Sequence, residues 1–337
     1  MNTSNTTSLN PHFSHIYVEK AARAWPDTEL VLRRFPKATV IEIEHYKDVF
    51  NRPRQEWRDQ KASTKLILAV RRGQFLYPGS DILLDYGYSR FFYNTLILNC
   101  IYDCDYCYLQ GMFPTANCVM FVNNADFEKA VETELEKGPM YLAISYDTDL
   151  LAFEHMLPFN KRWIDFAVRH TSLTIESRTK STNFRAIESI EPVSNVILTW
   201  TVSPAEIAAR YEKKTPSTAS RIAAMKKAVD AGWTVRLCID PLLWVPDWEQ
   251  HYGGLIEQVE KQIPLHRFRD ITLGVFRMNK SYLKRIRGQR SDTDLLYHDF
   301  ETTGDVVTYS KNKRDEMTSF MKQQLSGKTE PENIEIW

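Results

Sequence analysis

The sequence predicts an α/β fold: a partial (β/α)6 TIM-type barrel that carries an N-terminal α/β extension. Three observations point there. Short apolar runs alternate with helical stretches six times between residues 95 and 276, the pattern of a parallel sheet with crossover helices. Six units fall short of the eight that close a full barrel, so an open or partial barrel is expected. The length, 337 residues with 43% hydrophobic and 26% charged, supplies a sizeable core and excludes a disordered chain or a small disulfide scaffold.

The elements follow in order. MNTSNTTSLNPHF is polar with no apolar stretch, so residues 1–13 read as a flexible tail and not a signal peptide. Residues 14–90 contain ELVLRRF, ATVIEI and KLILAVRR, the strands or strand–helix pieces of the N-terminal α/β region. The barrel is assigned to 91–290 and a C-terminal extension to 291–337. TLILNC (95–100) is the first predicted barrel strand. MYLAISY (140–146) follows the helix-like ADFEKAVETELEKG, and SLTIESRT (172–179) follows LPFNKRWIDFAVRH. NVILTWTV (195–202) follows a short helix around FRAIESI. WTVRLCIDPLL (233–243) follows STASRIAAMKKAVDAG, whose Ser or Thr at the start and Gly232 at the end mark helix boundaries. DITLGVF (270–276) follows DWEQHYGGLIEQVEKQI. No apolar run approaches the ~18–20 residues of a membrane span, and a cytoplasmic protein is expected.

Lys plus Arg and Asp plus Glu both number 43. A neutral chain does not hold nucleic acid by bulk positive charge, so any such contact must come from a local patch. The five cysteines are odd in number, and Cys100, Cys104 and Cys107 fall within eight residues. That clustering favours metal chemistry in a reducing compartment over a disulfide framework. CxxxCxxC on a loop after a barrel strand can wrap one face of a cuboidal iron–sulfur cluster and leave one iron open. Zinc with a distant fourth ligand (Cys118, Cys238 or a histidine) and plain buried thiols are the alternatives at this point. Chemistry in parallel β/α folds sits at the C-terminal strand ends.

CxxxCxxC in that position resembles the radical S-adenosylmethionine (SAM) pattern. CDYCYLQG, with Tyr106 and Tyr108, looks like the spore photoproduct lyase family. The resemblance runs over about residues 64 to 310. It includes TKLILAVRRG before the barrel, DTDLLAFEHM, RTKS and EKKTPSTASRIAAMKKAVDAGWTV. It implies a radical SAM type of partial barrel with Cys100, Cys104 and Cys107 as ligands of a [4Fe-4S] cluster. It implies S-adenosyl-L-methionine at the open iron, lined by Thr148, Asp149, Lys180, Thr201 and Ser203. These residue types suit that ligand: hydroxyls and a carboxylate can hold its ammonium and ribose, and a lysine can pair its carboxylate. A 5′-deoxyadenosyl radical would then take hydrogen from a linked thymine dimer in DNA, and the lesion would revert to thymines. An electron donor such as flavodoxin or ferredoxin is implied as a partner.

One departure from the family pattern matters. Aligning Thr148, Asp149 and His155 puts Tyr146, with Ser145 beside it, where the resemblance expects a hydrogen-donating cysteine. A phenol O–H is weak enough to serve as that donor, so Tyr146 joins Tyr106 and Tyr108 as a candidate catalytic residue. Cys118 folding back to the site is the other option. For DNA, FRMNKSYLKRIRGQR carries Arg277, Lys280, Lys284, Arg285, Arg287 and Arg290 without an acid. This stripe suits sequence-independent phosphate contacts, and Tyr282, Trp244 and Trp248 suit base stacking. A radical SAM enzyme on another nucleoside, RNA or peptide stays open. So does a non-catalytic, metal-stabilised nucleic-acid-binding protein.

Overall fold

An eight-stranded sheet organises the chain, and its spatial order follows the sequence. In this computed structural model, residues 12–79, 84–144 and 146–337 are described; most of the predicted tail (residues 1–11) and Ser145 lie outside them. The strands are β1 (Leu76–Pro78), β2 (Phe91–Asn94), β3 (Met140–Ala143), β4 (Leu173–Thr179), β5 (Val196–Thr201), β6 (Thr234–Leu242), β7 (Ile271–Val275) and β8 (Ile334–Ile336). β1 pairs antiparallel to β2, and every pairing from β2 to β8 is parallel. The sheet stays open, with β1 and β8 at its edges.

Every residue of β3, β5 and β7 is buried. That is what strands covered on both faces require, and it explains their near-continuous apolar runs. The crossover helices include Asn124–Leu135, Phe159–Arg169, Thr218–Asp230 and Trp248–Gln262. The Ser217 hydroxyl caps the third of these by accepting from the Ser220 amide. Gly232, at φ +90°, ends it.

The first predicted barrel strand is displaced. FFYN, not TLILNC, takes the first parallel position, and Ile97–Leu98 leaves to pair antiparallel with Cys118–Phe121. Periodicity does not separate two adjacent apolar runs; the pairing partner does. Cys118–Phe121 and Ile97–Leu98 complete a second sheet with Thr39–Ile43, His15–Glu19 and Leu66–Ala69, so this sheet draws strands from both sides of residue 90. β8 was not anticipated at all: it adds a seventh parallel strand from the far C-terminal part of the chain. No helix among the described residues is long and apolar enough to cross a membrane.

Candidate active site

The chain leaves β2 and enters the cysteine loop through Asn99, a non-glycine residue at φ +70°. Its side-chain amide holds that conformation by donating to the Thr115 and Asn117 carbonyls, both at 2.8 Å. From there the loop is fastened along its backbone. Buried Lys61 donates to the carbonyls of Cys100 and Tyr102, each at 2.5 Å. Asp103–Cys104 pairs antiparallel with Glu212–Lys213. The Gln110 amide donates to the Cys104 carbonyl at 2.7 Å. Arg290, buried at the end of the Lys280–Gln289 helix, donates to Gln110, Asp103 and Asp105. With its carbonyls occupied in this way, the loop leaves its thiols to one pocket. Cys100, Cys104 and Cys107 line it with Trp57, Lys61, Asn99, Tyr102, Asp103, Leu109 and Gln110.

The donor set fits a multi-iron cluster. Three thiols surround one pocket, while Cys118 and Cys238 are buried in strands, Cys118 in the second sheet and Cys238 in β6. Cys118 is not among the residues that line this pocket. Among the described residues, no group of three or more His, Cys, Asp or Glu side chains is gathered tightly enough to hold a metal ion. Burial pushes the Cys100 and Cys107 thiols up and Cys104 to about 12. Thiolates here need a cation's charge to form.

Beside the loop, Glu212 gathers several predicted residues into one buried network. Its carboxylate accepts from the Tyr106 hydroxyl and from the Ser203 hydroxyl at 2.8 Å. It lies 2.5 Å from the Arg221 guanidinium and 3.9 Å from the Lys180 ammonium. Burial opposes the charge on Glu212, but Arg221 and Lys180 outweigh it and hold the acid at about 2. Lys180 also lies over the Tyr106 ring, 5.6 Å from its centre. Thr201 is buried, and its carbonyl faces Arg221 at 3.4 Å. Thr148 donates to the Asn99 carbonyl at 2.8 Å. Asp149 caps the Leu150–Phe153 turn and accepts from the Thr179 hydroxyl at 2.7 Å and the Lys180 amide at 2.6 Å. Asp149 thus ties the segment after β3 to the end of β4 and points its carboxylate at protein donors. Glu212, Arg221 and Lys61 carry no local sequence signal for these roles, and Arg290 reads in the sequence as part of the basic stripe and not as the anchor of the cysteine loop.

Tyr108 and Tyr146 meet at the end of β3. The Tyr108 hydroxyl donates to the Tyr146 carbonyl at 2.9 Å, and the ring centres are 6.1 Å apart. Tyr146 also packs on Tyr93 at 4.3 Å. Asp147 lies beneath, accepting from Thr95 at 2.6 Å and lying 3.4 Å from the Tyr108 hydroxyl. Burial raises Asp147 from 3.8 to about 6, against the pull of its Thr95 and Tyr108 bonds. The folded state therefore holds a proton that the unfolded chain releases, so stability falls as pH rises from about 4 to about 6 and stays reduced above that. Asp147→Asn should stabilise the fold at pH 8 by up to about 3 kcal/mol and have little effect at pH 3.5. Urea unfolding at the two pH values checks both expectations.

The basic segment divides. Arg277 turns to the barrel mouth, pairs with Asp240 at 3.2 Å and stacks 3.6 Å from the centre of the Trp337 ring. Lys280, Lys284 and Arg287 share a helix face and line a surface pocket of about 830 Å³ with His298, Asp299, Phe300 and Asp305. Arg285 leaves from another face, its guanidinium 3.4 Å from the Met112 carbonyl. This helix packs directly on the cysteine loop through Gly111. A Cβ there would fall 2.3 Å from Tyr282 Cβ and 2.5 Å from its Cα. Gly111→Ala should therefore cost about 1–3 kcal/mol and lower the thermal midpoint, because a backbone atom cannot move aside as a side-chain tip can.

A family model described as spore photoproduct lyase matches residues 13–330. A curated spore photoproduct lyase from Geobacillus sp. (strain Y412MC61) is 22% identical over 219 residues, which are 64% of this chain; the chain spans 62% of that relative's length. Spore photoproduct lyase complexed with dinucleoside spore photoproduct superposes with a TM-score of 0.82 at 17% identity, covering 96% of this chain and 98% of that one. A double mutant of spore photoproduct lyase with bound AdoMet and dinucleoside spore photoproduct gives 0.80 at 18% identity, covering 97% and 99%. At these identities the solved structures establish the shared fold.

Proposed function

The chain belongs to the spore photoproduct lyase family, and on that premise we propose that it is a radical SAM lyase that reverts a linked thymine dimer in DNA to thymines. The observation that carries the proposal is the single pocket lined by Cys100, Cys104 and Cys107, with the Lys180–Glu212 network beside it. Cys100, Cys104 and Cys107 would hold a [4Fe-4S] cluster, and the iron without a protein ligand would take the amino and carboxylate groups of S-adenosylmethionine. When bound, the cluster and S-adenosylmethionine supply a 5′-deoxyadenosyl radical; the protein supplies position and a dry site.

Lys180 is a cation directed at the strand ends, and its charge is maintained by Glu212 against the effect of burial. It suits an anionic ligand group. Ser203 and Thr201 add hydroxyls on the same side. Thr148 and Asp149 act through position: they fix Asn99, the entry to the cysteine loop, and the Lys180 backbone. Tyr106, the residue before the third cysteine, ties the loop to Glu212. Tyr146, with Tyr108 beside it, returns hydrogen to the product carbon. The electron enters from a donor such as flavodoxin or ferredoxin in a cytoplasmic setting.

Duplex contact is assigned to Lys280, Lys284, Arg285 and Arg287, and lesion-side contact to Arg277 at the mouth. Each phosphate-binding charge removed at Lys280, Lys284 or Arg287 should lower the slope of log affinity against log salt by roughly 0.9. Fluorescence anisotropy on labelled duplex DNA measures it. The cofactor half is tested by anaerobic purification. About four irons per chain and 5′-deoxyadenosine release on adding S-adenosylmethionine and reductant are expected. A colourless, zinc-loaded, fully folded protein would contradict it.

A further inference from the structure

The tyrosine at position 146 is not isolated. Its ring centre lies 4.3 Å from that of Tyr93 at 31°, and Tyr93 stacks on Tyr77 at 5.2 Å and 20°. The sheet fixes this spacing. Tyr77 in β1 sits directly opposite Tyr93 in the antiparallel pair, and Tyr93 in β2 sits opposite Ala143, just before the turn that carries Tyr146. β1 is an edge strand, so the row runs from the site to the rim of the sheet. At that end Tyr77 is half-buried, and its hydroxyl receives Arg71 and faces the Gln74 carbonyl at 3.4 Å. Among the described residues, Tyr146 has ring partners only in Tyr93 and Tyr108. Tyr108 leads inward to the cysteine loop, so the outward route is Tyr93 and then Tyr77.

We propose that Tyr93 and Tyr77 form a relay that restores Tyr146 after each turnover with an electron from an external one-electron donor, which makes S-adenosylmethionine a consumed co-substrate. The proposal rests on the lyase reading above. The product carbon radical takes hydrogen from the Tyr146 hydroxyl: a C–H bond forms, the O–H bond breaks, and a phenoxyl remains. An aliphatic C–H bond is stronger than a phenol O–H bond, so this phenoxyl does not retrieve hydrogen from 5′-deoxyadenosine. It takes a hydrogen atom (electron and proton) from Tyr93, which takes one from Tyr77. Tyr77 is restored by one electron from the same class of low-potential donor that starts turnover, together with one proton from water. In sum, S-adenosylmethionine, two electrons and one proton yield methionine and 5′-deoxyadenosine for each lesion reverted.

The test has two arms. In the first, holoenzyme is given dinucleoside lesion, S-adenosylmethionine and reductant. One 5′-deoxyadenosine and two electrons per lesion reverted are expected. Many lesions reverted per S-adenosylmethionine would overturn the proposal. In the same arm, Tyr93→Phe keeps the ring but removes the transferable hydrogen. It should leave a tyrosyl radical standing on Tyr146 in freeze-quench electron paramagnetic resonance and lower sustained turnover at least tenfold. Wild-type turnover with no accumulated radical would overturn the relay.

The second arm needs no lesion. The full chain carrying Tyr146→3-aminotyrosine, a radical trap, is oxidised at its surface by a flash-generated ruthenium(III) complex. The aminotyrosyl signal should form, and Tyr93→Phe or Tyr77→Phe should cut its yield at least tenfold. An unchanged yield would overturn the relay. If this arm succeeds while the first releases no thymine product, the lyase reading fails and the conduit stands.

Discussion

Arg290→Met is expected to unfasten the cysteine loop at a cost of about 3–5 kcal/mol. Arg290 is 3% exposed and serves three acceptors on the loop: Gln110, Asp103 and Asp105. Asp105 is itself 2% exposed, with Lys213 at 3.2 Å as its other cation. Removing the guanidinium leaves one carboxylate buried beside a single partly exposed lysine and another without its closest partner. Burial already raises Asp105, and Arg290 is the first of the groups that oppose that rise. The damage reaches the thiols because Gln110, freed from Arg290, is the donor to the Cys104 carbonyl. Iron retained after desalting and the urea midpoint should both drop. Adding Asp105→Asn should return part of the stability, since it removes one of the stranded charges. Unchanged iron content and midpoint would show that the loop is held from elsewhere.

Tyr146→Phe should separate the two halves of the reaction. The variant keeps the ring that packs on Tyr93 and the backbone carbonyl that receives Tyr108, so the site's shape survives and only the transferable hydrogen is lost. 5′-Deoxyadenosine should still form with substrate present, while thymine release falls at least 100-fold and radical side products appear. In heavy water the wild type should place one solvent deuterium in the product, because a phenol hydrogen exchanges. Tyr146→Cys should restore hydrogen return through an S–H bond. Full thymine release from Tyr146→Phe would remove this residue from the chemistry.

Much of this arrangement was legible in the sequence, for physical reasons that can be traced. The strands β3 to β7 stand where the apolar runs stood, because strands largely buried on both faces keep their polar residues few and mostly toward one end. Ser217 and Gly232 marked their helix because capping and positive φ are local requirements. The cysteine triplet and Tyr108 could be read for the same reason, as spacing within one loop. What failed to show is tertiary. Glu212 lies 105 positions beyond Cys107 and becomes a hub only when Glu212–Lys213 pairs with Asp103–Cys104. Arg277 and Arg290 look like members of one basic stripe, yet one turns to Asp240 and the other to Asp103 and Asp105. The charge on a residue is local, while its partner is set by the fold. β8 escaped because three residues beyond a helix carry too little periodicity to register.

The most direct test of the central claim is a single anaerobic assay of reconstituted protein with dinucleoside spore photoproduct, S-adenosylmethionine and a one-electron reductant, followed by chromatography. Loss of the lesion, release of the repaired thymine dinucleotide and formation of 5′-deoxyadenosine are expected. Abundant 5′-deoxyadenosine beside intact lesion would contradict it.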